Sequence, residues 1–260
     1  MLRFCCLGSG SSGNAFVVEA TDAASTTRVL IDDGFSPREL ERRLARADVD
    51  TRSLSAILVT HEHSDHAGGV CAFARRRQIS VYATAGTAAC AGFDRVQRLY
   101  RIRAGVELRI GALCVLPIDV PHDASEPVQF LLSDGERRLA ILTDLGHPAA
   151  SVIEVLSGLD ALVLEFNHDL QMLRRGPYPP SLKARIESDL GHLSNAQSVQ
   201  FLESVDRSRL TRVVAAHLSR TNNRPQLACE ALGCLRLPLH VQLDVADQLM
   251  GLPWRPVGLP

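Results

Sequence analysis

Short runs of apolar and β-branched residues, each closed by turn residues, recur along the chain. They predict nine strands, over residues 14–20, 28–32, 56–60, 79–83, 113–119, 128–133, 138–143, 160–166 and 212–217. Between several of them the apolar period lengthens to that of a helix. Residues 36–47 carry Leu40 and Leu44 on one face, and Ser36-Pro37 offers an N-cap followed by proline at the first helical position. Further helices are predicted over 66–77, 148–156, 182–189, 194–205 and 225–232. A strand-rich start followed by mixed strands and helices fits sheets packed on each other with helices outside. No repeat, low-complexity tract or linker divides the chain, so one domain over 1–260 is expected.

Titratable residues gather where these strands end. His61 follows the strand 56–60, Asp144 follows 138–143, Glu165 closes the apolar run 161–164, and His217 closes 213–216. Four such groups at the C-terminal ends of apolar strands point to one shared edge. The segment Thr60-His61-Glu62-His63-Ser64-Asp65-His66 is the sharpest feature. On an extended segment alternate residues point the same way, so His61, His63 and Asp65 can converge, and a turn at Ala67-Gly68-Gly69 brings His66 back beside them. Imidazoles bind zinc-like ions at about 2.0–2.1 Å, and three protein ligands with one open position make a catalytic site. Four potential ligands in so short a stretch are too many for one such site and suggest two adjoining ones. An exposed polar turn is the bland alternative.

Two metals need further ligands. Of the nine histidines, His122, His147, His168, His192, His217 and His240 lie outside this segment. His122 in Val120-Pro121-His122-Asp123 and His217 in Ala216-His217-Leu218-Ser219 sit at strand ends, as does Asp144 in Leu142-Thr143-Asp144-Leu145-Gly146. A carboxylate such as Asp144 can bridge cations about 3.5–4 Å apart, the separation used by two-metal hydrolases.

Composition narrows the setting without naming a partner. Apolar residues make up 46% and charged residues 22%, an ordinary globular balance that excludes a disordered class. With 28 basic and 29 acidic residues, net charge −1 gives no global mark of a nucleic-acid or membrane binder. No apolar run reaches the roughly 18 residues of a membrane span, and the N-terminus lacks a signal-peptide core. Seven cysteines without a C-x-x-C pair suit reduced thiols in a cytoplasm. Gly8-x-Gly10-x-x-Gly13, with Asp32 beyond it, matches the dinucleotide fingerprint, but that motif needs a helix next. A strand pattern follows, so a hairpin is expected and NAD binding is rejected. Asp134-Gly135 marks a second hairpin turn.

Thr-His-Glu-His-Ser-Asp-His at 60–66 resembles the His-x-His-x-Asp-His signature of the metallo-β-lactamase superfamily, and the order His122, Asp144, His217 resembles its remaining ligand motifs. The segments 7–14, 164–169 and Gly191-His192-Leu193-Ser194-Asn195 are similar to the YycJ/WalJ branch, and the likeness runs through nearly the whole chain. The resemblance implies an α/β (α+β) fold, a four-layer αββα sandwich with metals between the sheet edges. It implies His61, His63 and His122 on one metal, Asp65, His66 and His217 on the other, and Asp144 bridging. Asp32 resembles the aspartate that orients such histidines. His168 is an additional ligand or a substrate contact in this reading. Gln129 departs from the pattern, standing where a glycine is expected after His122.

The implied cofactors are two divalent ions, Zn²⁺ or Mn²⁺, since carboxylate and imidazole suit both. They would turn a bridging water into a hydroxide nucleophile. His192 resembles the general-acid histidine of the phosphodiesterase branches, and Glu165 the glutamate that steadies it; Asp65 completes the catalytic set. A carboxylate there favours the imidazolium that donates a proton. The branch implies a DNA exonuclease-like phosphodiesterase, cytoplasmic, with nucleic acid as partner and no membrane; a homodimer is compatible with this. Hydrolysis of small cyclic phosphodiesters, or of thioesters or lactams, is the alternative, and a non-catalytic metal-binding regulator the third class. Too few residues separate Asp144 from His192 to hold a β-CASP domain. Arg174, Arg175, Lys183, Arg185, Arg220 and Arg224 are candidate phosphate contacts, with a solvated surface charge as the bland reading of each, and Tyr178 in Pro177-Tyr178-Pro179-Pro180 can stack a base or simply pack its proline-rich loop.

Overall fold

The computed structural model describes residues 1–258 and contains two seven-stranded sheets. The first is built from β1 (Leu2–Gly8), β2 (Ala15–Thr21), β3 (Thr26–Ile31), β4 (Leu54–Leu58), β5 (Ser80–Ala83), β6 (Leu99–Arg101) and β14 (Leu252–Pro256), in the order β14-β1-β2-β3-β4-β5-β6. The second holds β7 (Leu108–Ile110), β8 (Leu113–Asp119), β9 (Val128–Ser133), β10 (Arg138–Leu142), β11 (Ala161–Glu165), β12 (Arg212–Ala216) and β13 (Gln242–Val245), in the order β13-β12-β11-β10-β9-β8-β7.

Alternation along the strands builds three apolar layers. Phe4, Cys6, Phe16 and Val18 meet Phe130, Leu132, Leu139 and Ile141 in a core between the sheets. Cys5, Leu7, Val17 and Ile57 face the other way, onto Leu40 and Leu44 of α1 (Pro37–Arg46) and Val70 and Phe73 of α3 (Val70–Arg77). Across the molecule, Ala140, Leu142, Leu162 and Leu164 meet Val152 of α5 (Ala150–Val155), Phe201 and Leu202 of α8 (Asn195–Ser204), and Ala228 and Leu232 of α9 (Pro225–Gly233). Strands covered on both faces read as continuous apolar runs. The result is a four-layer αββα sandwich.

Each of the nine expected strands is present, and Ser36 caps α1 as its sequence implies, its Oγ accepting from Glu39 N, with Pro37 opening the helix. The expected helix 66–77 is instead two, α2 (Ser64–Ala67) and α3, parted at Gly68-Gly69. A side chain at Gly69 would strike Phe35 O at 2.0 Å, so close approach of the backbone holds that break. Helix 182–189 begins earlier, as α7 (Pro180–Ile186). Not foreseen were β1, β6, β7, β13 and β14, nor the helices α4 (Ala85–Cys90) and α6 (Leu170–Arg175). These pieces are short or carry no clean period, and pairing with an existing sheet edge creates most of the strands.

None of the seven cysteines is in a disulfide, and Cys5 and Cys6 are buried in the layers. Burial pushes the Cys5 thiol up to about 12, as befits a small core residue. No helix among the described residues is long and apolar enough to cross a membrane.

Strands β3 to β6 run parallel, as do β10 to β13, and β8 shares the direction of β10 through antiparallel β9. The C-terminal ends of β3, β4, β8, β10, β11 and β12 therefore face the same rim. The Val128 N–H donates to Thr60 O at 3.0 Å and joins the two sheets there. Phe130→Ala, which empties a ring site between the sheets, is expected to cost about 3–5 kcal/mol in denaturant unfolding; a loss under 1 kcal/mol would mean that the inter-sheet core is not close-packed.

Candidate metal centre

Six strand ends deliver the polar residues to this rim. Asp32 follows β3, and Thr60 and His61 follow β4; His122 lies just beyond β8, Asp144 beyond β10, Glu165 ends β11, and His217 follows β12. His63 sits at the N-cap of α2, with Asp65 and His66 inside it. Asp65 is thus brought to the cluster by a helical turn, not by extended alternation as the sequence reading supposed. Asp33 N donates to His66 O at 2.8 Å, and Asn14 N to Asp65 O at 2.7 Å, which fixes that turn against the neighbouring loops.

Four sets of donor atoms result, each lying within 4.8 Å of one another: His61, His63 and His122; Asp65, His66 and His217; His61, His66 and Asp144; and Asp144, Glu165, His192 and His217. The first two sets are the two ligand groups expected from sequence, and Asp144 belongs to both of the others. Among the described residues His168 is in none of them. It is buried with Nδ1 unpartnered, burial pulls its pKa down to about 4, and its backbone pairs with Ser194. It is therefore not brought together with the grouped donors.

Neighbours set the direction of the rings. His66 Nδ1 donates to Asp32 Oδ2 at 2.7 Å. The Thr60 hydroxyl donates to the same oxygen at 2.8 Å, so its lone pair accepts from His61 Nδ1 at 3.0 Å. His122 Nδ1 donates to Gly191 O at 3.1 Å. Glu165 Oε1 accepts from both His192 Nδ1 at 2.8 Å and His217 Nδ1 at 3.0 Å, while its Oε2 accepts from the backbone of Leu145 and Leu193. In all five rings Nδ1 is engaged, which leaves Nε2 for the interior. His217 also holds a left-handed backbone, φ 54°, a conformation costly for a residue with a Cβ. Ser9 Oγ, accepting from His217 N, and Asn167 Nδ2, donating to His217 O, secure it.

Asp144 is 2% exposed and its carboxylate lies 2.9 Å from His66 Nε2, 3.3 Å from His192 Nδ1 and 3.4 Å from His217 Nδ1. Burial raises its pKa, but the charges of His217 and His66 outweigh burial and hold it well below the usual carboxylate range. The same attraction works in reverse. Burial disfavours the imidazoliums, yet Asp144 and its fellow carboxylates hold His66 well above the ordinary value and His217 up to about 10. Burial wins at His61 and His122, whose pKa values fall. At His192 the Glu165 charge overcomes burial and raises the pKa.

Buried polar atoms almost always have partners, so the exceptions are informative. His61 Nε2 and His217 Nε2 are buried here without a hydrogen bond. Two such nitrogens beside the Asp144 carboxylate fit divalent cations, and the imidazole–carboxylate chemistry suits ions of the zinc type.

A cavity of about 320 Å³ opens over the cluster, lined among others by His63, Asp65, Asp144, His192, His217 and Tyr178. The chain's matching family model covers residues 27–217 and is described as the beta-lactamase superfamily domain. The chain belongs to the metallo-β-lactamase superfamily, in its YycJ/WalJ branch. It is 36% identical to exodeoxyribonuclease YycJ of Bacillus anthracis over 87% of this chain and 86% of the relative. To exodeoxyribonuclease WalJ of Streptococcus pneumoniae serotype 2 it is 32% identical, over 97% and 92%. Among solved structures the metallo-β-lactamase fold protein YhfI of Bacillus subtilis superposes with a TM-score of 0.74 at 14% identity, over 98% of this chain and all of the other, which speaks to fold alone. The enzyme is a metallohydrolase of this family.

Several participants were not foreseen. The Asn14 side chain donates to Gly10 O and stands 3.0 Å from His66 Nε2, while Ser9 Oγ donates to Asn14 Oδ1. The glycine-rich loop set aside as a dinucleotide decoy is thus a wall of the site; the likeness of segment 7–14 to the YycJ/WalJ branch was its signal, without naming a role for Asn14. Asp123 lies 3.5 Å from His122 Nε2 and pairs with Arg185. Gln129, where glycine was expected, is buried with Oε1 accepting from Thr143 N, so the bulk fits beside the strand that carries Asp144.

Asp32→Ala removes the acceptor for Thr60 N, Thr60 Oγ1 and His66 Nδ1 together. Leaving such buried donors unpaired is expected to cost about 3 kcal/mol in urea unfolding of the metal-free protein. A change below 1 kcal/mol would show that Asp32 does not hold this corner.

Proposed function

We propose that the enzyme is a dinuclear phosphodiesterase that degrades DNA from an end. In this reading His61, His63 and His122 hold one divalent cation, Asp65, His66 and His217 hold the other, and Asp144 stands between them. Zn²⁺ and Mn²⁺ both suit these donors. Such ions lower the pKa of water toward neutrality and polarise a phosphoryl oxygen.

The observation that carries the phosphodiester reading is the His192–Glu165 hydrogen bond at the cavity wall. An alkoxide leaving from phosphorus needs a proton. His192, with Nδ1 engaged by Glu165 and its pKa raised, holds one on Nε2 for that oxygen. Thioesters and lactams make less demand for a donor, so this pair favours phosphodiesters over them. DNA as the substrate is supported by relatives at 36% and 32% identity that are named exodeoxyribonucleases.

Two outcomes are expected. His192→Ala should keep the cations, as read by metal analysis, and lose on the order of 10²–10⁴ in rate on end-labelled DNA. It should lose far less on bis-p-nitrophenyl phosphate, whose leaving group needs no proton; equal losses on both would remove the donor role. Cation loading should also release protons. His66 and His217 have raised pKa values, so near neutral pH and without cations they are protonated and compete with binding; affinity then rises with pH. Titration calorimetry in two buffers of different ionisation enthalpy should find on the order of two protons expelled per molecule. No net release would sink the proposed ligand set.

A further inference from the structure

The catalytic cavity does not end at Tyr178. A second cavity of about 440 Å³, lined by Ser11, Ser12, Tyr178, Ser219, Arg220 and Thr221, shares Ser11, Tyr178 and Ser219 with the first. The two form one groove in which Tyr178 marks the divide. The first cavity is also lined by Leu182, Ile186 and the Asp123–Arg185 ion pair. The residues shared between the cavities continue the groove past Tyr178.

Of the six basic residues expected near phosphates, three are already engaged. Arg174 pairs with Glu187, Lys183 donates to Arg174 O, and Arg185 pairs with Asp123. Arg220 is exposed and makes no hydrogen bond or ion pair with the described residues, and it stands three positions beyond His217. Three residues span at most about 11 Å of backbone, so Arg220 is anchored close to the strand end that carries His217, and its side chain lines the second cavity. Serine and threonine hydroxyls fill the rest of this second cavity. Its walls are stiff. Proline on either side restricts the backbone at Tyr178. Ser12 N donates to Gln248 Oε1, and Gly10, at φ 142°, packs so tightly that a side chain there would stand 2.6 Å from that oxygen.

We infer that this second cavity is a nucleotide subsite. In it the Tyr178 ring stacks on the base next to the scissile bond, and Arg220 takes that nucleotide's phosphate. The inference rests on the DNA reading above. An aromatic platform beside an unpaired cation is the combination that holds single-stranded nucleic acid, each stacked base contributing about 1–3 kcal/mol. A substrate end would lie over the cluster, with the remaining strand leaving past Tyr178.

The test removes groups from both partners. Once wild-type products show which end is attacked, single-stranded DNA is made with an abasic site at the nucleotide one step inside that end. A second probe carries a neutral methylphosphonate at that nucleotide's phosphate. For wild type each change should raise KM about tenfold. Tyr178→Ala should start about tenfold higher on intact DNA and lose nothing more on the abasic strand, and Arg220→Ala nothing more on the methylphosphonate. Unfolding curves and metal content matching wild type establish that both variants fold. Full, independent penalties in variant and wild type alike would overturn the subsite while leaving the nuclease reading intact. A metal-loaded wild type that degrades no DNA would remove both.

Discussion

Five histidines at the rim answer to one requirement: a buried imidazole must have Nδ1 satisfied if Nε2 is to be left pointing inward. Asp32, the Thr60 hydroxyl, Gly191 O and Glu165 meet that requirement for five rings. Without them the rings would rotate toward whatever partner was available, and the cluster would lose its common focus. The strand ends supply position; these acceptors supply direction.

Charge makes the same arrangement tense. Asp32, Asp144 and Glu165 are carboxylates at 2% exposure or less, and they are tolerable only because imidazoles stand against them. Burial alone would drive protons onto the acids and off the histidines. Their mutual attraction tips the balance the other way at Asp144, His66 and His217, which carry ionised character into an interior that disfavours it. Divalent cations resolve that tension more fully than protons do, since they satisfy several donors at once. Strain at His217 fits the same logic: a left-handed residue persists where Ser9 and Asn167 over-determine it.

Glu165 links the two halves of the proposed chemistry. One oxygen accepts from His217, on the proposed metal side, and from His192, on the proposed proton-donor side, while the other oxygen is held by two backbone amides. The orientation of a ligand and of a proton donor thus rests on a single carboxylate. Outward from it, the cavity over the cluster shares Ser11, Tyr178 and Ser219 with a second one, so the groove continues past Tyr178.

The sequence by itself carried the packed sheets with helices outside and, through its resemblance to a known family, the residues that the fold gathers at the rim. Apolar runs bounded by turns mark strands because backbone geometry alternates side chains across a sheet, and histidine-rich spacing is too specific for a surface turn. Local pattern also placed Ser36 and Pro37 at the start of α1 correctly. What it lacked was anything that depends on partners distant in the chain. Edge strands such as β6, β7 and β13 exist because a neighbour offers its hydrogen bonds, not because three or four residues announce them. Asn14 and Ser9 matter because tertiary packing sets them against Asp65, His66 and His217, a contact that the resemblance of segment 7–14 did not specify. The separation of His168 from the grouped donors, the helical turn that carries Asp65, and the groove beyond Tyr178 were likewise decided in three dimensions, where burial and direction, not residue type, decide which side chains meet.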